Sequence, residues 1–314
     1  MRAEDRQHAE LIKGQLRSYS RSVKPLPGIE SPVALDTFVF QIIESIRRVR
    51  YVSEVAARPI SPLRLDPRCE LFDPVRAAIV WHRTGDLDEA GWLIFLFTHF
   101  GRNLRSGYRL LRDVYGRFGG QERWDWKTTS NDSFGFRQWL DRQSSTLKSD
   151  HTGHRAFGNH RKYQSLNAWK ENGTGSAVES YVAWVKGAGG HQELFAQALA
   201  SVRGDGQKAF RKLYAQMNVV MSFGRTAKFD YLSMVGKTGL AQIEPDSVYF
   251  GSATGPVSGA KLLFHGDELA RTPVRHLERS ADALAEAIGI GKQPMEDSLC
   301  NWQKSPTMPI RFRG

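Results

Sequence analysis

Apolar residues recur along most of this chain at spacings of three and four, and few stretches alternate apolar with polar in the manner of a half-buried strand. That period predicts a mainly α fold, with segments rich in proline and glycine between the helices. Asp36 to Val55 reads as one helix, with Phe40, Ile43 and Arg47 one to two turns apart. Pro74 fits the first turn of a helix carrying Ile79 and Trp81. Asp86 or Asp88 is placed to cap the run LDEAGWLIFLFTHF, which stops at Gly101. NLRSGYRLLRDVYGRF reads as a basic helix ending near Phe118, and 119–170 as a long aromatic, basic loop. Helices return at 177–186, 191–202, 207–221 and 277–288. Three parts are therefore expected: a helical arm over 1–72 packed on the core, a helical lobe over 73–220 containing the loop 119–170, and a C-terminal lobe over 221–314.

Lysine and arginine number 44 against 33 acids, a net charge of +11, so a polyanion is the natural partner and nucleic acid leads the candidates. Hydrophobic residues make up 40% of the chain, enough for a packed core. Cys69 and Cys300 stand outside any CxxC or Cys/His spacing, so neither a disulfide framework nor a zinc set is expected. The N-terminal residues lack the apolar core of a signal peptide, and no apolar run reaches the ~18 residues of a membrane span. The expectation is a cytoplasmic protein that needs no membrane, no obligate protein partner, no metal and no organic cofactor.

FGRTAKFDYLSMVGKTGL, residues 223–240, puts a carboxylate inside an apolar helical stripe. Phe223, Ala227, Asp230 and Met234 share a face, so Asp230 should be half buried, and is either paired with an arginine or kept for chemistry. Lys228, two positions away, points elsewhere and, with Arg225, is a candidate phosphate contact. Gly236, Lys237 and Thr238 do not form a P-loop, because Tyr231 stands where another glycine is required. They read instead as a hairpin between helices, either bringing backbone amides to a DNA phosphate or serving as a plain junction. The Gly251–Lys261 segment is a second loop of small residues with a basic end at Lys261.

His151, His154 and His160 match no metal spacing, whereas Arg155, Arg161 and Lys162 among them suit phosphate contacts or a solvated loop. Trp124, with Arg123 and Trp126 beside it, reads as a stacking or wedge element, or else as a core anchor for the long loop. His99 lies in the apolar helix, as a core histidine or as a hydrogen-bonding group for a base.

THFGRNLRSGYRL, FGRTAKFDYLSMVGKTGL, GSATGPVSGAKLLF and MEDSLCNWQKSP together resemble the α-glutamyl/putrescinyl thymine pyrophosphorylase family over about residues 75–305. That family is implicated in phage DNA hypermodification and includes anti-phage glycosylases that remove glucosylated 5-hydroxymethylcytosine. The resemblance implies a helix-hairpin-helix DNA glycosylase-like fold: two helical lobes with a DNA cleft between them. It implies a DNA glycosylase that flips out a modified pyrimidine and excises it from phage DNA in anti-phage defence. The resemblance implies a buried catalytic aspartate about twenty residues after the hairpin, a pattern from which this chain departs: Asp230 precedes the hairpin and Asp246 follows Gly236 by only ten residues. As the carboxylate on the apolar stripe, Asp230 ranks first, with Asp246 second and Asp297 third. Tyr231 and Trp302 become candidate stacking surfaces for the extruded base, and Asn301 a reader of its polar edge. The other readings are a transferase attaching an amine to an activated hydroxymethylpyrimidine, and a non-catalytic sensor of modified DNA.

Overall fold

The computed structural model describes residues 3–149, 155–161, 163–309 and 311. His151, His154 and Lys162 lie outside them. The described residues form fourteen α-helices: α1 (Ala3–Ser22), α2 (Pro32–Ala56), α3 (Pro74–Arg83), α4 (Leu87–Phe100), α5 (Arg109–Tyr115), α6 (Trp126–Asn131) and α7 (Ser133–Lys148). Then come α8 (Thr174–Ala188), α9 (His191–Ala200), α10 (Gly206–Gln216), α11 (Arg225–Lys237), α12 (Gly255–His265), α13 (Val274–Ala287) and α14 (Lys292–Trp302). Strand pairing among these residues is limited to one isolated bridge, Asn103 to Gly107. None of the described helices is long and apolar enough to cross a membrane.

Two compact units divide the chain, one from its ends (Met1–Val52 with Pro245–Arg313) and one from Ser53–Glu244. In the first, Leu16, Phe38 and Ile42 share an apolar cluster with Leu263, Leu284, Leu299 and Trp302, so α1 and α2 belong to the same core as α12 to α14. The boundaries expected at 72/73 and 220/221 both fall inside the second unit. There α4 is the central element: Trp92, Leu93, Ile94 and Phe95 have no exposed surface, and each such side chain contributes about 2 kcal/mol on burial. Asp86 caps this helix by accepting from the Glu89 amide at 2.9 Å.

Three segments depart from the expected pattern. The loop 119–170 contains α6 and α7, whose buried Phe136, Leu140 and Leu147 are one and two turns apart behind a mostly polar sequence. Residues 103–108 are a tight turn rather than helix, and α5 begins only at Arg109. The hairpin expected around Gly236 does not join two adjacent helices, since α11 ends at Lys237 and α12 begins at Gly255. Gly236 is small because a Cβ there would sit 2.2 Å from the Ile243 carbonyl oxygen, and Gly259 because a Cβ would meet the Leu299 carbonyl at the same distance. Seven of the eleven residues of the expected glycine-rich loop are thus the first two turns of α12, which packs closely on α14.

Candidate functional site

The site grows from the C-terminal end of α4. Gly101 ends that helix at φ +66, and the segment 155–161 docks against it, the Gly158 amide donating to the Phe100 carbonyl at 2.8 Å. A Cβ on Gly158 would lie 2.8 Å from the Arg102 nitrogen, so only glycine permits this approach. Docking delivers Arg161, whose Nε donates to the Thr98 carbonyl at 2.6 Å and whose Nη2 donates to Asp230 Oδ2 at 2.7 Å. The arginine side chain is 7% exposed and the carboxylate 41%. A guanidinium that deep needs its counter-charge, because breaking such a pair leaves an uncompensated buried ion. Asp230 is therefore paired, as one of its two readings held, yet keeps open surface on α11, a helix otherwise buried along most of its length.

Beneath the pair lies His99, 1% exposed. Thr174 Oγ1 spends its proton on the Ser165 carbonyl at 2.7 Å, so its 2.9 Å contact with His99 Nε2 requires the proton to sit on that nitrogen. Burial, aided by the charge of Arg161, pushes the imidazole pKa down to about 3. His99 stacks on Phe95, which in turn stacks on Tyr181 and Phe223. It is a neutral core histidine and offers no surface to a base.

A second polar chain runs through the same core. Asp88 Oδ1 accepts from His191 N at 2.8 Å and from His191 Nδ1 at 2.7 Å, leaving Nε2 to accept from Tyr181 Oη at 2.6 Å. Tyr231 Oη lies 2.9 Å from Tyr181 Oη and donates to it, since Tyr181 has given its proton to the imidazole. Burial would raise the Asp88 carboxyl, but the bonds from His191 hold it below its usual range; burial pushes His191 down and Tyr231 up. The chain ties α4, α8 and α9 to α11 at the residue beside Asp230. Next to Asp88, Glu89 accepts from Tyr115 Oη and the Trp126 amide, both at 2.6 Å, while burial raises its pKa to about 7.

Several expected site residues have other work. Tyr231 and Trp302 have no exposed surface, so neither is a stacking platform; Trp302 packs on Phe38 at 5.0 Å. Trp124 is 2% exposed with Arg117 over its ring, which makes it a core anchor and not a wedge. Arg161 and Arg155 are held in ion pairs, Arg155 donating to Asp113 at 2.6 Å, so both are structural cations. Arg123 bonds Tyr115. Lys228 is largely buried, donates to Asn218 Oδ1 at 2.5 Å and lies over the Tyr214 ring; burial lowers its pKa, so it is no phosphate clamp. Thr238 Oγ1 donates back to the Met234 carbonyl at 2.7 Å and closes α11. Asp246 accepts from Tyr249 Oη at 2.6 Å in the other unit, where Asn301 donates to Asp297 at 2.9 Å. Arg225, Lys237 and Lys261 are partly exposed.

Tyr181, His191 and Glu89 were not singled out in the sequence, and Asp88 was read only as a possible helix cap. The one local signal was His191 at the start of a helix directly after Gly189-Gly190, and nothing in its neighbourhood named its partners.

In class, then, the chain is a mainly helical protein with a half-open carboxylate anchored by a buried arginine. It belongs to the alpha-glutamyl/putrescinyl thymine pyrophosphorylase clade 3 family, whose model matches residues 33–314. No curated protein and no solved structure matches it.

Proposed function

We propose that this protein is a DNA glycosylase that flips a modified pyrimidine out of DNA and excises it, with glucosylated 5-hydroxymethylcytosine of phage DNA as substrate and anti-phage defence as its role. The observation that carries the reading is the Asp230 carboxylate, 41% exposed, with Oδ2 held by the buried Arg161. The family name supports an enzyme acting on a modified pyrimidine, and the charge of +11 supports a polyanionic substrate.

Breaking the N-glycosidic bond sends its electron pair to the base and leaves positive charge at the sugar's anomeric carbon. Asp230, fixed by Arg161, stabilises that charge or orients the water that attacks it, as carboxylates do in glycoside hydrolysis. Water supplies hydroxide to the sugar and its remaining proton to the departing base, so the products are an abasic site and a free base. Arg225, Lys237 and Lys261 contact backbone phosphates.

A second reading follows from the family name: a transferase that replaces pyrophosphate with an amine on an activated hydroxymethylpyrimidine. It leaves the glycosidic bond intact. Incubating the protein with phage DNA carrying glucosylated hydroxymethylcytosine, beside unmodified DNA, separates the two. Abasic sites and free modified base from the first DNA alone are expected. With neither product, the glycosylase reading of that substrate falls, and incorporation of a labelled amine into DNA bearing the pyrophosphorylated base tests the transferase.

A further inference from the structure

The turn after α4 is built as a projection. Asn103 and Gly107 exchange both backbone hydrogen bonds, at 2.9 and 3.0 Å, and Gly107 takes φ +57 to close the loop. Inside it, Asn103 Oδ1 accepts from the Arg105 and Ser106 amides at 2.9 and 3.2 Å, and its Nδ2 donates to the Phe157 carbonyl at 3.1 Å. Tyr108 packs edge-on against Phe97 of α4. Every one of these contacts fixes the base of the turn. At its tip stands Leu104, 60% exposed, between the exposed Arg102 and Arg105.

A lone exposed leucine carries no message, because apolar atoms make up much of any protein surface. Here the leucine is rigidly held, flanked by guanidinium groups, and tied to the catalytic candidate. Gly101 touches Arg161, a Cβ on it lying 3.3 Å from the Arg161 Cγ. Leu104 is three residues on, so its backbone is within about 11 Å of Gly101. Followed through Arg161, whose Nη2 lies 2.7 Å from Asp230 Oδ2, the path bounds the separation of Leu104 and Asp230 at about 25 Å, less than one turn of duplex, which spans ~34 Å. The turn chemistry would be met by a small polar residue at position 104, whereas an apolar tip suits a place that water does not fill.

We propose that the 102–107 turn is a DNA wedge: Leu104 enters the base stack of duplex DNA beside the flipped nucleotide, and Arg102 and Arg105 grip the adjoining phosphates. Apolar wedges of this kind unstack a base step and hold the gap that an extruded base leaves. The proposal rests on the reading of the protein as a DNA enzyme that flips its target, and it reassigns to Leu104 the role that the sequence suggested for Trp124.

The test uses the full-length chain and a 25-base-pair duplex carrying one glucosylated hydroxymethylcytosine with 2-aminopurine as its neighbour. Fluorescence of the 2-aminopurine reports unstacking and does not depend on bond cleavage. In an Asp230→Asn background, binding should raise it severalfold. Leu104→Ala should abolish most of that rise, and Leu104→Met should restore it. Arg102→Ala and Arg105→Ala should each lower the slope of log affinity against log salt by about 1. Because Leu104 is exposed, circular dichroism melts of the variants should match the parent.

A full fluorescence rise with Leu104→Ala, or a protein that does not bind the duplex, overturns the wedge. Loss of the rise without base release by the wild type keeps the wedge and discards the glycosylase. Base release by the wild type with an undiminished rise in Leu104→Ala does the reverse.

Discussion

Each compact unit contains an arginine–aspartate pair, and the two are built differently. In the first unit Arg48 grips Asp297 with two nitrogens, Nη1 to Oδ1 at 2.9 Å and Nη2 to Oδ2 at 2.7 Å, and Asn301 adds a further bond to Oδ1 at 2.9 Å. Both side chains are a little over a quarter exposed. In the second unit Arg161 is buried and shares itself between Asp230 and the Thr98 carbonyl, while 41% of the aspartate side chain stays exposed. The forked, saturated carboxylate of Asp297 works as a clasp between α2 and α14. The carboxylate of Asp230, held by one arginine among the described residues, keeps open surface instead. The two pairs differ in which partner is exposed, and α11, buried along most of its length, leaves Asp230 open.

The largest effect that tests this contrast is on chemistry. Asp230→Asn should lower single-turnover release of the modified base by roughly 10²–10³-fold, the scale on which one preorganised electrostatic group acts. Asp297→Asn should leave the rate within about twofold, since uniform packing contacts do not act on the transition state. Equal losses in both variants would erase the distinction between clasp and catalyst.

Stability should divide the pairs next. Arg161→Met leaves the Thr98 carbonyl and Asp230 without their donor and should cost about 3 kcal/mol in urea unfolding, at the low end for broken buried pairs because Asp230 retains solvent. A loss below about 1 kcal/mol would mean that the arginine is carried at no structural need and that its role is in binding.

A third carboxylate sharpens the comparison through pH. Glu89 is buried, and its pKa is raised from 4.5 to about 7. As pH rises from 4.5 towards 7 the unfolded chain releases this proton first, so the folded state loses stability across that window and levels off above it. His99, depressed to about 3, works oppositely, since below pH ~6.5 only the unfolded chain takes up its proton. Comparing Glu89→Gln with the wild type cancels the histidines. The wild-type urea midpoint should fall more than that of the variant between pH 5.5 and 7.5. Parallel profiles would show that Glu89 is ionised in the fold, satisfied by Tyr115 and the Trp126 amide.

Local pattern reached most of the helices and the half-buried, arginine-paired state of one candidate residue, and stopped where distant segments meet. The α4 boundaries were legible because Asp86 and Gly101 are cap residues with their own backbone chemistry. Asp230 was legible because a carboxylate on an apolar face needs an explanation. Arg161 was noticed as a loop cation, but its partner lies 69 residues away. His191 and Asp88 are separated by 103 residues, and no periodicity carries that information. Helix α7 was hidden by its polar face, and Gly255 and Gly259 imitated a loop of small residues because close helix packing calls for the same residue types. Tyr231 and Trp302 show the same limit, since an aromatic beside a candidate acid serves a core as readily as a ligand.

The smallest expected effect belongs to the clasp. Arg48→Met removes a bidentate pair whose members are both partly solvated, so water takes over the freed oxygens and the methionine keeps the apolar stem against its neighbours. A stability loss of about 1 kcal/mol or less should result, seen as a shift in the urea midpoint without a change in slope. Asn301, which bonds the same oxygen, should hold Asp297 near its place and blunt the loss further. A loss as large as that of Arg161→Met would mean that the forked pair carries the fold of its unit, and exposure alone would no longer tell the two aspartates apart.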